Sequence, residues 1–295
     1  MRGACSANRE VKTMNATYLD LNQAFLNVGL TPPDRILVDG KLHRFAQPDK
    51  PKSVSCWYVF FDLRNGVAGA AGDWRTGLSA NISTWRDKLA SQSDIDAAKA
   101  IIAQARENAE KAKKVEQDAA ARRASLIWNN TIPANPNHQY LKRKCLPPFG
   151  LHEASGNLII PITDIDNVLW SIQTIKPNGE KRFLSGGRTK DCMCWIEGKR
   201  TDTLYIAEGW ATAASVALYT TKTAVCAFNA GNIANVATAI RNKYPNVPIV
   251  IVADHDEVGI KAAKQAASKT GADFWLPPTK GHDFNDWMIE SGEMV

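Results

Sequence analysis

From residue 203 onward, short apolar runs alternate with amphipathic stretches of helical length. The runs cover residues 203–207, 223–228, 248–253 and 272–276, and the helical stretches cover 211–219, 232–244, 259–270 and 284–290. Short apolar strands between helices are typical of a parallel sheet that is buried on both faces. Right-handed βαβ connections place the helices against those faces. Residues 201–295 are therefore predicted to form an α/β domain.

Acidic residues follow the predicted strands at the points where they end. Glu208 comes directly after the first strand, Asp254 and Asp256 follow the third, and Asp283 precedes the last helix. The carboxyl ends of parallel strands lie along one edge of a sheet, where ligands bind. Neighbouring buried carboxylates repel one another unless a cation neutralises them, and oxygen ligands suit Mg²⁺. The sequence therefore predicts a magnesium site that faces phosphate at this edge.

The upstream sequence divides into three segments of different character. Residues 1–90 are predicted to form a small β-rich module, with a hairpin that turns at Asp39 and Gly40. Residues 91–130 lack Gly and Pro and are predicted to form one long helical linker. Residues 131–200 are predicted to form a basic α+β subdomain, in which one helix precedes two strands joined by a turn at residues 164–167.

Aromatic and basic residues of the first module raise the question of nucleic-acid contact. The aromatic residues are Trp57, Tyr58, Phe60, Phe61, Trp74 and Trp85, and the arginines are Arg35, Arg44, Arg64 and Arg75. Aromatic rings can stack on bases while arginines hold phosphates. The alternative is that the rings form the core of a small sheet. The net charge of +6 suits a polyanionic partner without requiring one.

Composition and terminal sequence exclude several classes of protein. The longest apolar stretches are far shorter than the twenty residues of a transmembrane helix. The first ten residues lack the apolar core of a signal peptide. A cytoplasmic location is therefore expected, and no association with a membrane is expected. The six cysteines have neither CxxC pairs nor histidines at zinc-site spacing. They are interpreted as free thiols, and no zinc is expected.

Three motifs of the last third resemble the Toprim domain of bacterial-type primases, topoisomerases and related nucleases. They are IleAlaGluGly at 206–209, ValAlaAspHisAsp at 252–256 and AspPheAsnAsp at 283–286. TyrLeuLysArgLysCysLeu at 140–146 and GluLysArgPheLeuSerGlyGly at 180–187 resemble the basic subdomain of the primase RNA-polymerase core. PheAsnAlaGlyAsn at 228–232 is typical of phage and plasmid primases. The resemblance covers residues 135–295 and implies a Toprim-type parallel sheet with flanking helices.

The resemblance implies a DNA primase that synthesises short RNA primers on single-stranded DNA in phage or plasmid replication. Nucleotidyl transfer would depend on Mg²⁺, with Mn²⁺ as a substitute. The implied catalytic residues are Glu208, Asp254 and Asp256, and the implied metal ligands are these three and Asp283. The implied nucleotide- and template-binding residues are Arg143, Lys176, Lys181, Arg182 and Lys190. The implied partners are single-stranded template DNA, ribonucleoside triphosphates, and a replicative helicase or other replication protein.

The sequence departs from the chromosomal primase pattern at several points. Asn285 stands where that pattern has a second acid, so weaker binding of an outer metal is expected. The sequence contains no motif of a zinc ribbon or a helicase domain, so initiation is expected to depend on a partner or on the β-rich module. Two alternatives remain open. One is a metal-dependent Toprim nuclease, against which the basic segment 180–187 argues. The other is a non-catalytic single-stranded-DNA-binding accessory, against which the intact acids argue.

Overall fold

The computed structural model describes residues 20–63, 66–84 and 92–292. The chain forms two compact units, Met1–Lys114 and Val115–Val295. Their boundary lies inside a single long helix, α2 (Gln92–Asn129), which confirms the helix predicted over this segment. Within the described residues, no helix combines the length and apolarity needed to cross a bilayer.

The first unit is built on a four-stranded antiparallel sheet. Its strands are β1 (His43–Phe45), β2 (Cys56–Leu63), β3 (Gly66–Asp73) and β4 (Leu78–Ser83), in that spatial order. Residues 20–27 form helix α1. The ring of Phe25 from this helix makes edge-to-face contacts with Phe45, Tyr58 and Phe60, with centroid separations of 5.6–5.7 Å. The predicted β-rich character of this module is confirmed.

The aromatic residues of this sheet form its core. Trp57, Tyr58 and Phe60 are each at most 2% exposed, so their rings cannot stack on bases. The guanidinium of Arg44 lies 4.8 Å from the ring centroid of Trp74. Arg64 and Trp85 lie outside the described residues. The core interpretation of the buried rings is therefore the correct one.

The predicted hairpin at Asp39 and Gly40 is wrong. Residues 36–38 form a loop, whereas residues 43–45 pair with β2. The carboxylate of Asp39 accepts hydrogen bonds from the Lys41 amide at 3.0 Å and lies 2.7 Å from the His43 ring. Local side-chain hydrogen bonds of this kind compete with strand pairing.

The second unit contains an antiparallel sheet followed by a mostly parallel one. The antiparallel sheet consists of β5 (Ile132–Pro133), β6 (His152–Ala154), β7 (Asn157–Thr163), β8 (Leu169–Ile175) and β9 (Lys181–Phe183), in that order. Helix α3 (Gln139–Lys144) lies between β5 and β6 in the chain. The β7–β8 turn is closed by Asp164, whose carboxylate accepts hydrogen bonds from the amides of Asp166 and Val168 at 3.0 Å. This α+β arrangement agrees with the prediction.

The second sheet of this unit has the strand order β10-β12-β11-β13-β14. The strands are β10 (Cys194–Ile196), β11 (Arg200–Ala207), β12 (Lys222–Cys226), β13 (Ile249–Val252) and β14 (Asp273–Trp275). The helices are α4 (Trp210–Thr220), α5 (Ala230–Lys243), α6 (Glu257–Thr270) and α7 (Phe284–Ser291). Strands β11 to β14 are parallel, as predicted, and β10 pairs antiparallel with β12 at one edge.

Each face of this sheet packs against a separate hydrophobic cluster. Ala207 faces a cluster with residues of α4 and α7, whereas Ile206 faces a cluster with residues of α5 and α6. Successive strand residues point to opposite faces, which explains why a continuous apolar run is needed here. The first cluster also contains Leu141 of α3 and Ile160 of β7. The basic subdomain and the α/β sheet therefore share one core.

Candidate functional site: an acidic edge beside a basic hairpin

The predicted acids meet at the carboxyl edge of the parallel sheet. Strands β11 and β13 are parallel neighbours, and Glu208 and Asp254 follow their last residues. Asp256 is the N-cap of α6 and Asp283 is the N-cap of α7. Glu208, Asp254 and Asp283 are partly buried, and Asp256 is exposed. The strand topology thus brings together four carboxylates that span 76 positions of sequence, from 208 to 283.

The carboxylates act on one another electrostatically. Burial, followed by the charges of Asp283, Glu208 and Asp256, raises the pKa of Asp254 to about 7. Burial and then Asp256 also raise the pKa of Glu208, while Lys181 lowers both values. The four acids and one lysine therefore share a single electrostatic environment.

Hydrogen bonds and close backbone contacts hold these acids in place. The Asp256 carboxylate accepts the Gly259 amide at 2.7 Å, and Asp283 forms a capping box with Asp286. Thr212 of α4 donates its hydroxyl to Asp283 at 3.2 Å. A Cβ on Gly259 would lie 2.4 Å from the Asp254 carbonyl oxygen, so this position requires glycine.

Asp254 has one carboxylate oxygen that suits a cation. Its Oδ1 atom is buried and accepts no hydrogen bond from the described part of the chain. An unpaired buried oxygen is costly unless a cation or a proton satisfies it. Among the same described residues, no three His, Cys, Asp or Glu side chains converge on one point as a metal ion requires. The residues therefore fit a divalent cation by charge and donor type, while their oxygens do not form a complete coordination shell by themselves.

Lys181 is a basic residue that acts electrostatically on Glu208 and Asp254. Its ammonium is 3.9 Å from the position that a Cβ would occupy on Gly209, directly after Glu208. Its side chain extends from β9, whose three residues are all exposed to solvent. The phosphate group of a ligand bound at the acidic edge could therefore contact this ammonium.

The other predicted basic residues lie on and around the β8–β9 hairpin. Lys176 and Arg182 both form ion pairs with Glu180, which lies between them, and the Lys176–Glu180 separation is 2.7 Å. Arg143 of α3 donates to the Pro177 carbonyl of this hairpin at 3.1 Å. These residues form one exposed basic surface. Lys190 is an exposed residue of the loop between β9 and β10, and within the described residues no contact joins its side chain to the acids.

The side chain of Asn285 lies in the packing between helices. Its side chain is fully buried and donates hydrogen bonds to the Lys144 carbonyl at 2.9 Å and to the Ser215 hydroxyl at 2.8 Å. The ion pair between Lys144 and Asp286, at 3.4 Å, lies beside it. Position 285 therefore joins α7 to α3 and α4.

Sequence reasoning missed two residues of this edge. Thr212 contacts Asp283, as described above, and Tyr140 is buried close to the same acid. Burial, with smaller contributions from Cys226 and Asp283, raises the pKa of Tyr140 to about 12. A threonine in the first turn of an alanine-rich helix is the one sequence signal that could have indicated Thr212.

Residues 203–294 match the family model of the Toprim domain. The C-terminal part of this chain is a Toprim domain. The match spans β11 to α7 and so includes the strands, helices and acids described above. The resemblance of the three acidic motifs to this family is therefore confirmed. Toprim domains generally depend on a divalent metal, in agreement with the donor set at the acidic edge.

The similarity to known proteins extends upstream of the Toprim domain. The chain is 32% identical over 230 residues to a DNA primase TraC of Escherichia coli, and the match covers 75% of this chain and 21% of that protein. It is 30% identical over 239 residues to a second DNA primase TraC of Escherichia coli, covering 76% of this chain and 16% of that protein. The chain thus spans about a fifth or less of the length of these relatives. The predicted resemblance to primases is confirmed.

Two solved structures are similar to part of this chain at low identity. One is the DnaG primase catalytic domain bound to single-stranded DNA. The aligned region covers 61% of this chain and 77% of the DnaG chain, with 12% sequence identity and a TM-score of 0.44. The primase fragment of the bacteriophage T7 primase-helicase protein matches 55% of this chain and 76% of its own, with 14% identity and a TM-score of 0.41.

Proposed function

We propose that this chain is the catalytic core of a DNA primase, which joins ribonucleotides into short primers on a single-stranded DNA template. The observation that carries the proposal is the acidic edge of the Toprim domain, where Asp254 has an unpaired buried oxygen and Lys181 faces the acids. Carboxylates beside an exposed lysine suit a metal-bound triphosphate. The similarity to two proteins named DNA primase supports the same conclusion.

In the proposed reaction, Glu208 receives the proton of the attacking 3′-hydroxyl. The 3′-oxygen forms a bond to the α-phosphorus of the next nucleotide, and the bond to the pyrophosphate leaving group breaks. A carboxylate positioned beside the hydroxyl can accept this proton as a general base. Lys181 binds phosphate oxygens of the incoming triphosphate.

Asp254, Asp256 and Asp283 are proposed to hold the cation, together with Glu208. Bound Mg²⁺, or Mn²⁺ in its place, would stabilise the charge on the attacking and leaving oxygens. The capping box of Asp283 and the Gly259 hydrogen bond of Asp256 fix these side chains before the cation binds. The protein would therefore reorganise little when it loads the metal.

The template is proposed to lie along the basic surface formed by Arg143, Lys176 and Arg182, with Lys181 and Lys190 as further phosphate-binding residues. Contacts between such side chains and phosphates release counterions, so template binding should weaken steeply with added salt. A replicative helicase or another replication protein is the proposed partner that delivers the template.

Labelled ribonucleotides, single-stranded DNA and Mg²⁺ test the proposal when the products are resolved on a denaturing gel. The wild-type chain is expected to produce short labelled oligoribonucleotides, and Asp254→Ala is expected to produce none while it still shifts the template in a binding gel. A shortened template without new labelled product would establish the nuclease alternative. Template binding without either product would favour the non-catalytic accessory.

A further inference from the structure

Two phenylalanines lie side by side next to the acidic edge without a role in the chemistry described above. Phe183 ends β9, and Phe228 lies just beyond the end of β12. Their ring centroids are 6.1 Å apart and the rings meet edge to face at 75°. Phe228 is 7% exposed and belongs to the core, whereas Phe183 is 44% exposed. The core therefore supports the inner ring, and the outer ring presents aromatic surface to solvent.

Phe228 is placed within reach of Glu208 by the residues on either side of it. The Cys226 thiol lies 3.3 Å from the Glu208 carbonyl oxygen, and the Ala230 amide donates to the Glu208 carboxylate. The Ala227 amide donates to the Ala207 carbonyl at 2.8 Å, which continues the pairing of β11 and β12 up to this point. The aromatic pair is thus adjacent to the proposed general base.

The backbone holds Phe228 in an uncommon conformation. Its φ is +70°, in the left-handed region that bulky residues rarely occupy. The following residue is Asn229, a type that tolerates this region well, yet Asn229 is extended with φ −161°. Residues held in sparsely populated conformations cluster at ligand-binding sites, where the surrounding structure fixes them. At this position the conformation directs the Phe228 ring toward Phe183.

Phe183 shares a face of β9 with the lysine that approaches the acids. Side chains two positions apart on a strand point to the same side, so Phe183 and Lys181 project together, and Arg182 projects to the other side toward Glu180. A lysine beside the acids and an exposed ring next to it match the two ends of a nucleotide. The lysine suits the phosphates, and the ring suits the base.

We infer that Phe183, supported by Phe228, is a stacking platform for the base of a nucleotide whose phosphates lie at Lys181 and the acidic edge. The inference rests on the proposed function, because it assigns the base subsite of the same active site. Every base has a π-face, so a phenylalanine platform binds the base without selecting its identity. The site accordingly takes purine and pyrimidine ribonucleotides, as a template-directed enzyme requires.

Equilibrium binding of ATP and of inorganic tripolyphosphate, both with Mg²⁺, tests the platform by calorimetry. Stacking of one base on an aromatic ring predicts a roughly tenfold higher Kd for ATP in Phe183→Ala, with the Kd for tripolyphosphate unchanged. Phe183→Tyr should bind ATP like wild type, and Phe183→Leu should behave like the alanine variant. Phe274→Ala is the matched control, because Phe274 is 42% exposed on β14 of the same compact unit. It should leave both Kd values unchanged.

The inference is overturned if Phe183→Ala and Phe274→Ala bind ATP equally well. It is also overturned if Phe183→Ala weakens ATP and tripolyphosphate by the same factor, because the ring would then act on the phosphates through Lys181. The assay needs no synthesis, so the two proposals fail separately. If the chain makes no primer but its ATP binding depends on Phe183, the stacking platform stands and the primase proposal fails. If the Phe183→Ala and Phe274→Ala variants make primers alike and bind ATP alike, the primase proposal stands and the stacking platform fails.

Discussion

At the scale of single residues, Asp254 is held where its negative charge is unfavourable. Its pKa, raised to about 7 in the folded chain from a usual value of 3.8, means that the folded state binds more protons than the unfolded state between about pH 4 and pH 7. Stability contributed by this group is therefore lost as the pH rises through that window. A site of this kind trades stability for cation binding.

Asp254→Asn should raise the free energy of unfolding of the metal-free chain at pH 8 by about 1–2 kcal/mol, after allowance for partial solvent screening. The gain should vanish near pH 4, where the wild-type carboxyl group is protonated. Urea unfolding in EDTA at the two pH values measures it. Asp273→Asn makes the same charge change on exposed β14 and is the control. A variant no more stable than wild type at pH 8 would contradict the assignment of an unfavourable charge.

Asn285→Asp separates a packing role from a metal-binding role at position 285. An aspartate there would lose both donated hydrogen bonds and would bury a charge beside the Lys144 carbonyl. The free energy of unfolding should fall by about 3 kcal/mol, as it does when a buried polar network is broken. Calorimetric titration with Mg²⁺ should show no tighter binding. Unchanged stability with tighter Mg²⁺ binding would instead place this side chain at the acidic edge.

At the scale of elements, the parallel sheet could be predicted from sequence because each of its strands is a short apolar run between helices. Strands β11 to β14 and helices α4 to α7 all lie within a few residues of their predicted positions. β10 was missed because it has three residues and pairs antiparallel at the edge, so it lacks the flanking helix that marks the other strands. The hairpin at Asp39 was wrong because local hydrogen bonds override the turn signal.

The β8–β9 hairpin contains one acidic residue, Glu180, among its basic residues. Glu180 forms ion pairs with Lys176 and Arg182, so it neutralises part of the basic surface. Glu180→Gln should tighten binding of single-stranded DNA by about two- to fivefold at low salt, with a smaller gain at high salt, because screening weakens exposed charges. Fluorescence anisotropy of a labelled oligonucleotide measures both values.

Asp202→Asn is the matched control for this hairpin. Asp202 also forms ion pairs with two cations, Arg200 at 2.8 Å and Lys222 at 3.3 Å. It lies near the N-terminal end of β11, whereas Glu208 follows the C-terminal end of the same strand. The control should bind the oligonucleotide like wild type. Equal tightening in both variants would show that net charge alone, rather than the hairpin, governs template binding.

At the scale of the whole molecule, the position of the candidate site could be predicted because topology alone brings strand ends to one edge. The direction of individual side chains could not be predicted in the same way. Asn285 turns into the helix packing and Thr212 turns toward Asp283, and each orientation depends on how a helix is rotated against its neighbours. The contact between Phe183 and Phe228 joins two different sheets, so no local sequence pattern indicates it.

The second unit has a hydrophobic core that its basic subdomain and its α/β sheet share. Leu141 and Ile160 of the basic subdomain pack in the same cluster as Trp210 and Phe284 of the Toprim domain. Because side chains in a close-packed core have little freedom to shift, the basic surface and the acidic edge should keep a fixed relation. Such an arrangement suits an enzyme that must hold template and nucleotide in register.

The most direct test of the central claim is a count of pyrophosphate released per phosphodiester bond formed. The assay combines the chain with single-stranded DNA, ribonucleoside triphosphates and Mg²⁺, and mass spectrometry identifies the products. Nucleotidyl transfer at the acidic edge predicts one pyrophosphate for each bond, oligoribonucleotides with a 5′-triphosphate, and neither product in Glu208→Gln. Fragments of the template without pyrophosphate, or equal yields from Glu208→Gln, would contradict the claim.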